Sequence, residues 1–391
     1  MLVAAEASGD ALGAGLMRAL RRRLECEPRF VGVGGPQMIA EGLQSPFDIA
    51  ELSIFGWVEG LKAYGKVVAR ADQTAALAAR ERPDVAVLID SWGFTLRVAQ
   101  RLRRQDPTLK LIKYVGPQVW ASRPGRARTL AKTVDHLLSI LAFDAPWFEK
   151  AGLPVTVVGN PTLARDFSSA DPDQLRRVMG AQPDDPILLV LPGSRRSEIA
   201  RLMAPFGQAV ALLKRDNPAL RVGLVVADTV ADEVREAADR WTHQPHLVQG
   251  ETARIEAMRG ATLALACSGT VTTELAMAGC PMVVAYRLGS DLVFAAMKAI
   301  IDTPYVCLLN IVEGRVIVPE MLQRDCTGPK LAKVLAERLN DPQLRARQIA
   351  DQTAALDKMG PRGGPDPSQR AADAVIAIMG GRTSQARASI L

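Results

Sequence analysis

The chain is poor in aromatic residues, which make up 5% of its 391 positions. No basic stretch is interleaved with Tyr or Phe as a base-stacking surface requires, so no nucleic acid is expected as a partner. Histidine is scarcer still: His136, His243 and His246 are the complete set, without an H-x-x-x-H pair. That argues against a zinc site or a Ser-His-Asp triad, and no metal and no cofactor are expected. Cys26, Cys267, Cys280, Cys307 and Cys326 are odd in number and contain no C-x-x-C, which reads as reduced, structural thiols of a cytosolic protein. No window offers the roughly 18 consecutive apolar residues of a membrane span. The charged-then-apolar layout of a secretion signal is missing too. A cytoplasmic protein is expected, and contact with a membrane surface stays open.

What is present is ample core material: 48% of the residues are hydrophobic, enough for two domains of ordinary size. Lys and Arg outnumber Asp and Glu by 48 to 42, a formal +6 that suits anionic substrates or an acidic membrane surface. "MLVAAEASGD", "RFVGVGGPQM", "RPDVAVLIDSWGF", "KLIKYVGPQVW" and "HLLSILAF" read as apolar strands, with helical segments between them. After "AGLPVTVVGNPTLARDF" the rhythm restarts with "PILLVLPGS", "LRVGLVVA", "HLVQG", "ATLALACSGT" and "CPMVVAYR". Such alternation predicts α/β architecture: two Rossmann-like doubly wound domains, meeting near residues 160 to 170, with a ligand cleft between them. "MGPRGGPDPSQ" reads as a loop, "QRAADAVIAIM" as a final helix, and the last residues as a frayed tail.

Several strand ends carry chemistry. In "LPGSRRSE", Ser194, Arg195 and Arg196 stand where a strand gives way to a helix, a place that collects free N–H groups and favours an anion. Ser268, Gly269 and Thr270 follow the strand "ATLALA" and open a second helix, and two such ends plus an arginine suit a diphosphate. Glu274, about one turn further, has the bidentate acceptor geometry for two ribose hydroxyls, or else is an exposed helical glutamate. In "EASGD", Glu6, Ser8 and Asp10 bring carboxylates and a hydroxyl to the first strand-to-helix turn, where helix capping is the competing role. Asp90 closes "VAVLID" at the C-terminal edge of a strand, where it serves as a general base or as a cap for the following turn. "GPQVWASRPGRARTLAKT" is a basic stretch that also reads as a solvated helix face.

"EASGDALGAGLMRAL", "FVGVGGPQMIAEG", "ELSIFGWVEGL", "YVGPQVWA", "LLVLPGSRRSEI", "SGTVTTELAMAGCPMVVAYR" and "PYVCLLNIVEGR" together resemble the lipid-A-disaccharide synthase family, in order from about residue 3 to residue 375. The resemblance implies a GT-B glycosyltransferase that inverts the anomeric centre. It would join UDP-2,3-diacylglucosamine to 2,3-diacylglucosamine 1-phosphate (lipid X) and release UDP, in lipid A biosynthesis of Gram-negative bacteria. It further implies an enzyme peripheral on the cytoplasmic face of the inner membrane, and it allows a homodimer. Domain roles follow: residues 1–165 for the acceptor and the membrane, 166–360 for the UDP-sugar, 361–379 a loop and helix, 380–391 a disordered tail. By position, Asp90 becomes the general base, Arg195 and Ser268 to Thr270 part of the UDP site, and Asn310 a polar residue of the active cleft. Glu6, Ser8 and Asp10 fall in the N-terminal motif. The chain departs from the family pattern at Ala5, at Asn160 and in "SWGF" after Asp90, where Trp92 and Phe94 bear on the acceptor side. Its membrane contact is expected in "LSIFGWVEGLKAYGKVVAR", from Ile54, Phe55, Trp57, Val58, Leu61 and Tyr64 with Lys62, Lys66 and Arg70. A UDP-sugar 2-epimerase shares this fold and diphosphate site, and an unreactive nucleotide-sugar or lipid-binding module is the non-enzymatic rival.

Overall fold

The computed structural model describes residues 1–52, 57–289, 294, 303–363 and 365–388; for 57–63 and 381–388 it describes the backbone alone. The chain forms two compact units, Met1–Ala164 joined by Gly363–Leu391, and Arg165–Arg362.

In the first unit, β1 (Leu2–Ala4), β2 (Gly32–Val33), β3 (Val85–Ile89), β4 (Lys110–Tyr114), β5 (His136–Ser139) and β6 (Val155–Val157) form one parallel sheet in the order β2-β1-β3-β4-β5-β6. The apolar run Val85–Ile89 is buried at every position, as a strand covered by helices on both faces must be. One face packs Val3, Leu88, Phe94 and Leu111, the other Leu2, Ile89, Ile112 and Tyr114. The chain reverses its direction of sheet growth between β1 and β3, so the loops after these two strands flank the switch point where doubly wound sheets bind ligands.

The second unit repeats the plan with β7 (Ile187–Leu191), β8 (Arg221–Val226), β9 (His246–Gln249), β10 (Leu263–Cys267), β11 (Met282–Tyr286) and β12 (Glu320–Leu322), ordered β12-β11-β10-β7-β8-β9 and parallel throughout. Its switch point lies between β7 and β10, both fully buried strands.

The final helix, Pro367–Ala388, returns to the first unit and packs on the helix Ala7–Arg23. Ala371, Ala372 and Val375 enter the core there, and Arg23 holds Asp373 at 3.2 Å. A Cβ at Gly15 would come within 2.6 Å of the Ser368 hydroxyl, so glycine permits the close approach. Of the loop expected from Met359 to Gln369, Met359 ends the helix Pro342–Met359 and Pro367 to Gln369 already belong to the final helix, so the connection is shorter than expected. The frayed tail expected over 380–391 falls, for its last three residues and for the side chains after Gly380, outside the described residues.

Among the described residues no helix is long and apolar enough to cross a membrane. Of the proposed contact stretch, residues 53–56 and the side chains up to 63 lie outside the described residues, Ile54, Phe55, Trp57, Val58, Leu61 and Lys62 among them. Two of its cations are engaged internally: Lys66 and Arg70 both hold Glu51, at 3.1 and 2.7 Å. Tyr64 is exposed, with the Arg97 guanidinium 5.1 Å from its ring centre.

Candidate functional site

At the first switch point the Ser8 hydroxyl donates to Asp90 Oδ2 at 2.8 Å, so the turns after β1 and β3 meet through these two side chains. Asp90 is half-buried and adopts φ +49°, followed by Ser91 at +39°. Two successive left-handed residues without glycine are costly, about 1 to 3 kcal/mol each, and persist only where neighbours hold them. Thr95 does so, donating its hydroxyl to the carbonyls of Asp90 (2.8 Å) and Ser91 (2.9 Å). Lys113 on β4 completes the clamp: its ammonium donates to the Asp90 carbonyl and, at 2.8 Å, to Thr95 Oγ1. Burial pushes Lys113 down to about 7, against the charges of Asp90 and Glu6, which favour its protonated form. Reading the strand as an apolar run passes over Lys113, although a lysine inside a buried parallel strand is itself a signal.

Glu6 is exposed at the N-cap of the helix Ala7–Arg23. Asp10 points elsewhere: its carboxylate accepts from the backbone N–H groups of Gly35 (2.8 Å), Gln37 (2.9 Å) and Met38 (3.0 Å) and anchors the glycine turn "VGVGGPQ". That turn thus serves the fold as a seat for Asp10. Phe94 lies in the core, edge-on to Phe47. Trp92, half-buried, carries the Arg126 guanidinium 5.3 Å above its ring. Farther along, the buried Asp144 accepts from Trp120 Nε1 at 2.6 Å, and burial raises its carboxyl to about 7 although that hydrogen bond lowers it.

In the second unit a cavity of about 300 Å³ opens at the switch point, lined by Ser194, Arg195, Ser268, Gly269, Thr270 and Glu274. Residues far apart in the chain are brought together because β7 and β10 are sheet neighbours. A larger cavity, about 860 Å³, flanks the outer side of the helix Arg196–Asp216 near Trp241. It lies away from both strand ends, so the smaller cavity is the better ligand site.

The two helix ends at this cavity differ. Glu198, buried, fills the first: Ser194 N–H and Arg195 N–H donate to its Oε2 at 3.0 and 3.2 Å, while the Arg195 guanidinium reaches Oε1 at 3.0 Å. Gly193, at φ +113°, makes room, since a Cβ there would stand 2.3 Å from Glu198 Oε2. The helix Thr270–Met277 presents its first-turn N–H groups without such a carboxylate, because Glu274 turns to arginine instead. Glu274 Oε1 accepts from Arg165 (2.7 Å) and Arg254 (3.2 Å), and Oε2 from Arg254. Three of about four carboxylate lone-pair positions are thereby taken. Arg165 and Arg254, absent from the sequence reading, therefore fix the orientation of Glu274. The capping spacing of Arg195 and Glu198 was the available signal for Glu198.

Asn310 is not brought to this cavity. Fully buried, it donates to Val318 O and Glu320 Oε1, both at 2.8 Å, and accepts from Ile317 N–H (2.9 Å) and Val318 N–H (2.8 Å). Glu320 in turn binds the N–H groups of Val306 and Cys307, and Ser268 Oγ donates to Val306 O at 3.4 Å. Asn310 thus supports the segment against which Ser268 rests. Burial raises the thiols of Cys267 and Cys280 to about 12 and of Cys307 and Cys326 to about 11, which keeps them protonated and poor nucleophiles.

Two doubly wound units, one with a carboxylate and the other with arginine, hydroxyls and an open helix end at its switch point, define a GT-B protein of the kind that handles nucleotide-linked sugars. Solved structures agree on the fold: a co-structure of S. aureus MnaA with UDP matches with TM-score 0.60 and 14% identity, covering 97% of this chain and 95% of that one. A UDP-GlcNAc 2-epimerase from Neisseria meningitidis bound to UDP-GlcNAc matches with TM-score 0.56 and 10% identity, covering 97% and 98%. The sequence model of the family described as lipid-A-disaccharide synthetase matches residues 1–369, and the chain belongs to that family. Its relatives include the lipid-A-disaccharide synthases of Rhodospirillum centenum, 43% identical over 97% of this chain and 94% of the relative, and of Nitrobacter hamburgensis, 44% identical over 97% and 95%.

Proposed function

We propose that the protein transfers 2,3-diacylglucosamine from its UDP conjugate to the 6-hydroxyl of 2,3-diacylglucosamine 1-phosphate, forming a β-1,6 disaccharide 1-phosphate and UDP. The observation that carries the reading is the cavity at the switch point of the second unit, where Ser194, Arg195 and the turn Ser268–Thr270 converge from two neighbouring strands. This constellation suits a diphosphate: a mobile guanidinium for charge, hydroxyls and open N–H groups for the phosphate oxygens.

As the donor bond breaks, negative charge grows on the leaving diphosphate. Arg195, exposed and paired with Glu198, turns from that carboxylate to the phosphates. A preorganised donor aimed at developing charge contributes roughly 3 to 4 kcal/mol. The acceptor hydroxyl is a weak nucleophile until its proton is drawn off, and Asp90 takes that proton, with Ser8 orienting the carboxylate through its Oδ2. Glu274, held by two arginines, offers its remaining acceptor position to a ribose hydroxyl. Glu6 lies beside this machinery, while Asp10 and Asn310 act by anchoring the turns described above.

Both substrates carry acyl chains, so we place the enzyme at a bilayer surface, peripheral on the cytoplasmic face of the inner membrane, with the stretch 52–70 of the first unit as the contact. The rival epimerase reading rests on structures at 10% to 14% identity, a likeness of fold. Incubation with radiolabelled UDP-2,3-diacylglucosamine, with and without the monosaccharide phosphate, tests the reading. Disaccharide only when both are present supports it; epimerised donor alone, or binding without turnover, removes it.

A further inference from the structure

The basic stretch after β4 is not used by the chemistry above. Arg70, Arg101 and Arg103 each hold a carboxylate. Among the described residues Arg123 and Arg126 have no acidic partner; Arg126 lies over the Trp92 ring, 5.3 Å from its centre. Burial, and then the positive charge of Arg123, lower the Arg126 pKa from its ordinary value, so the two guanidinium groups repel at close quarters. Arg123 is held at φ +53°, a left-handed backbone that an arginine adopts only under constraint. On the other side of the same loop, Arg97 is bonded to the Gly93 carbonyl and faces Tyr64, again without an acid among the described residues. A half-buried guanidinium stacked on an aromatic ring, with an exposed arginine of like charge beside it, is a seat lacking its counter-ion.

We infer that Arg126 and Arg123 bind a phosphate monoester, and that this is the 1-phosphate of the acceptor. The inference rests on the proposed reaction for the identity of the ligand. Trp92, which positions Arg126, is two residues from Asp90, a span of at most roughly 7 Å along the chain. The reacting 6-hydroxyl and the 1-phosphate flank the ring oxygen of one hexose, so base and phosphate seat must lie within about the width of a sugar of each other.

The test uses the full chain and the variants Arg126→Gln and Arg123→Gln/Arg126→Gln, with unchanged circular dichroism and UDP affinity showing that fold and donor site persist. Calorimetric titration with glucosamine 1-phosphate should show affinity falling about tenfold or more in the double variant. The KM for the acylated monosaccharide phosphate should rise about tenfold, with the donor KM unchanged. Equal glucosamine 1-phosphate affinity and equal acceptor KM in parent and variant overturn the seat. So does a loss confined to binding of phosphatidylglycerol vesicles, which would assign these arginines to lipid headgroups. If the parent binds glucosamine 1-phosphate through these arginines yet forms no disaccharide, the seat stands and the proposed reaction falls.

Discussion

At the switch point of the first sheet Asp90 faces the uncharged hydroxyl of Ser8, with a buried lysine behind its backbone carbonyl. At that of the second sheet both carboxylates that line the cavity among the described residues are matched by arginine: Glu198 by Arg195, and Glu274 by Arg165 and Arg254. The same topology therefore supports two electrostatic settings. A carboxylate that must accept a proton cannot be tied up by guanidinium, which would hold it ionised and geometrically occupied. A carboxylate that only has to position an arginine, or be positioned by one, gains from the pairing. The second unit also holds Ser194 and Arg195 against an internal anion, Glu198, so in the proposed reaction an incoming diphosphate exchanges for a carboxylate that is already there. Such an exchange asks for little backbone movement, because the N–H groups of Ser194 and Arg195 are already directed at a negative charge.

The largest expected effect is on the first unit. Asp90→Asn keeps the size and the Ser8 contact but removes the base, and turnover should fall by about 10² or more, within the range for general-base loss. UDP affinity, measured by calorimetry, should stay near that of the parent, since the groups proposed to hold UDP belong to the second unit. Near-native turnover in this variant would break the division between the units.

Arg195→Ala should disturb ground state and leaving group together. UDP binding is expected to weaken about tenfold and kcat to fall by about another 10². Glu198 then loses its guanidinium partner but keeps the two backbone donors, so the fold should hold. A variant with unchanged UDP affinity and unchanged rate would show that the exchange at Glu198 does not occur.

The smallest effect sharpens the contrast through pH. Lys113 and Asp144, both buried in the first unit, are shifted from their ordinary values of 10.5 and 3.8 to about 7. Between about 4 and 7 the folded state retains the Asp144 proton that the unfolded state has lost, so raising pH through this window disfavours the fold. From about 7 to 10 the unfolded state retains the Lys113 proton that the folded state has lost, so raising pH there favours the fold. At about 1.4 kcal/mol per pH unit, the step from pH 5 to 7, and likewise that from 7 to 9, should amount to roughly 2 kcal/mol. Denaturant titrations at pH 5, 7 and 9 should show Asp144→Asn removing the lower limb and Lys113→Met the upper one. Curves parallel to the parent's would place these groups in a more solvated setting than the structure does.

Much of this protein is legible in its order of residues. Strands such as "VAVLI" and "ILLVL" are apolar at every position because parallel strands are covered on both faces, and the restart of the pattern near residue 165 marks a second unit. Ser194, Arg195 and Ser268 to Thr270 could be picked out because strand-to-helix turns in such folds gather ligand-binding groups, whatever the details of packing. The family assignment likewise rests on motifs spread along most of the chain.

Other features were decided only in three dimensions. Asp10 reads as a ligand or as a helix cap, and Asn310 enters only through the resemblance, as a polar residue of the active cleft; a polar side chain's role depends on which N–H groups the fold delivers to it, and burial with three or more backbone or side-chain partners makes both of them anchors. Lys113 and Asp90 lie 23 residues apart, yet adjacent parallel strands bring them to one turn. Glu274 meets Arg165 from 109 residues away. The final helix belongs to the first unit because Ala371, Ala372 and Val375 find their complementary surface on the helix Ala7–Arg23, not on the elements that precede them in the chain. Local periodicity specifies which residues must be buried; which partners they meet depends on strand order and helix docking, set by the packing of the whole unit.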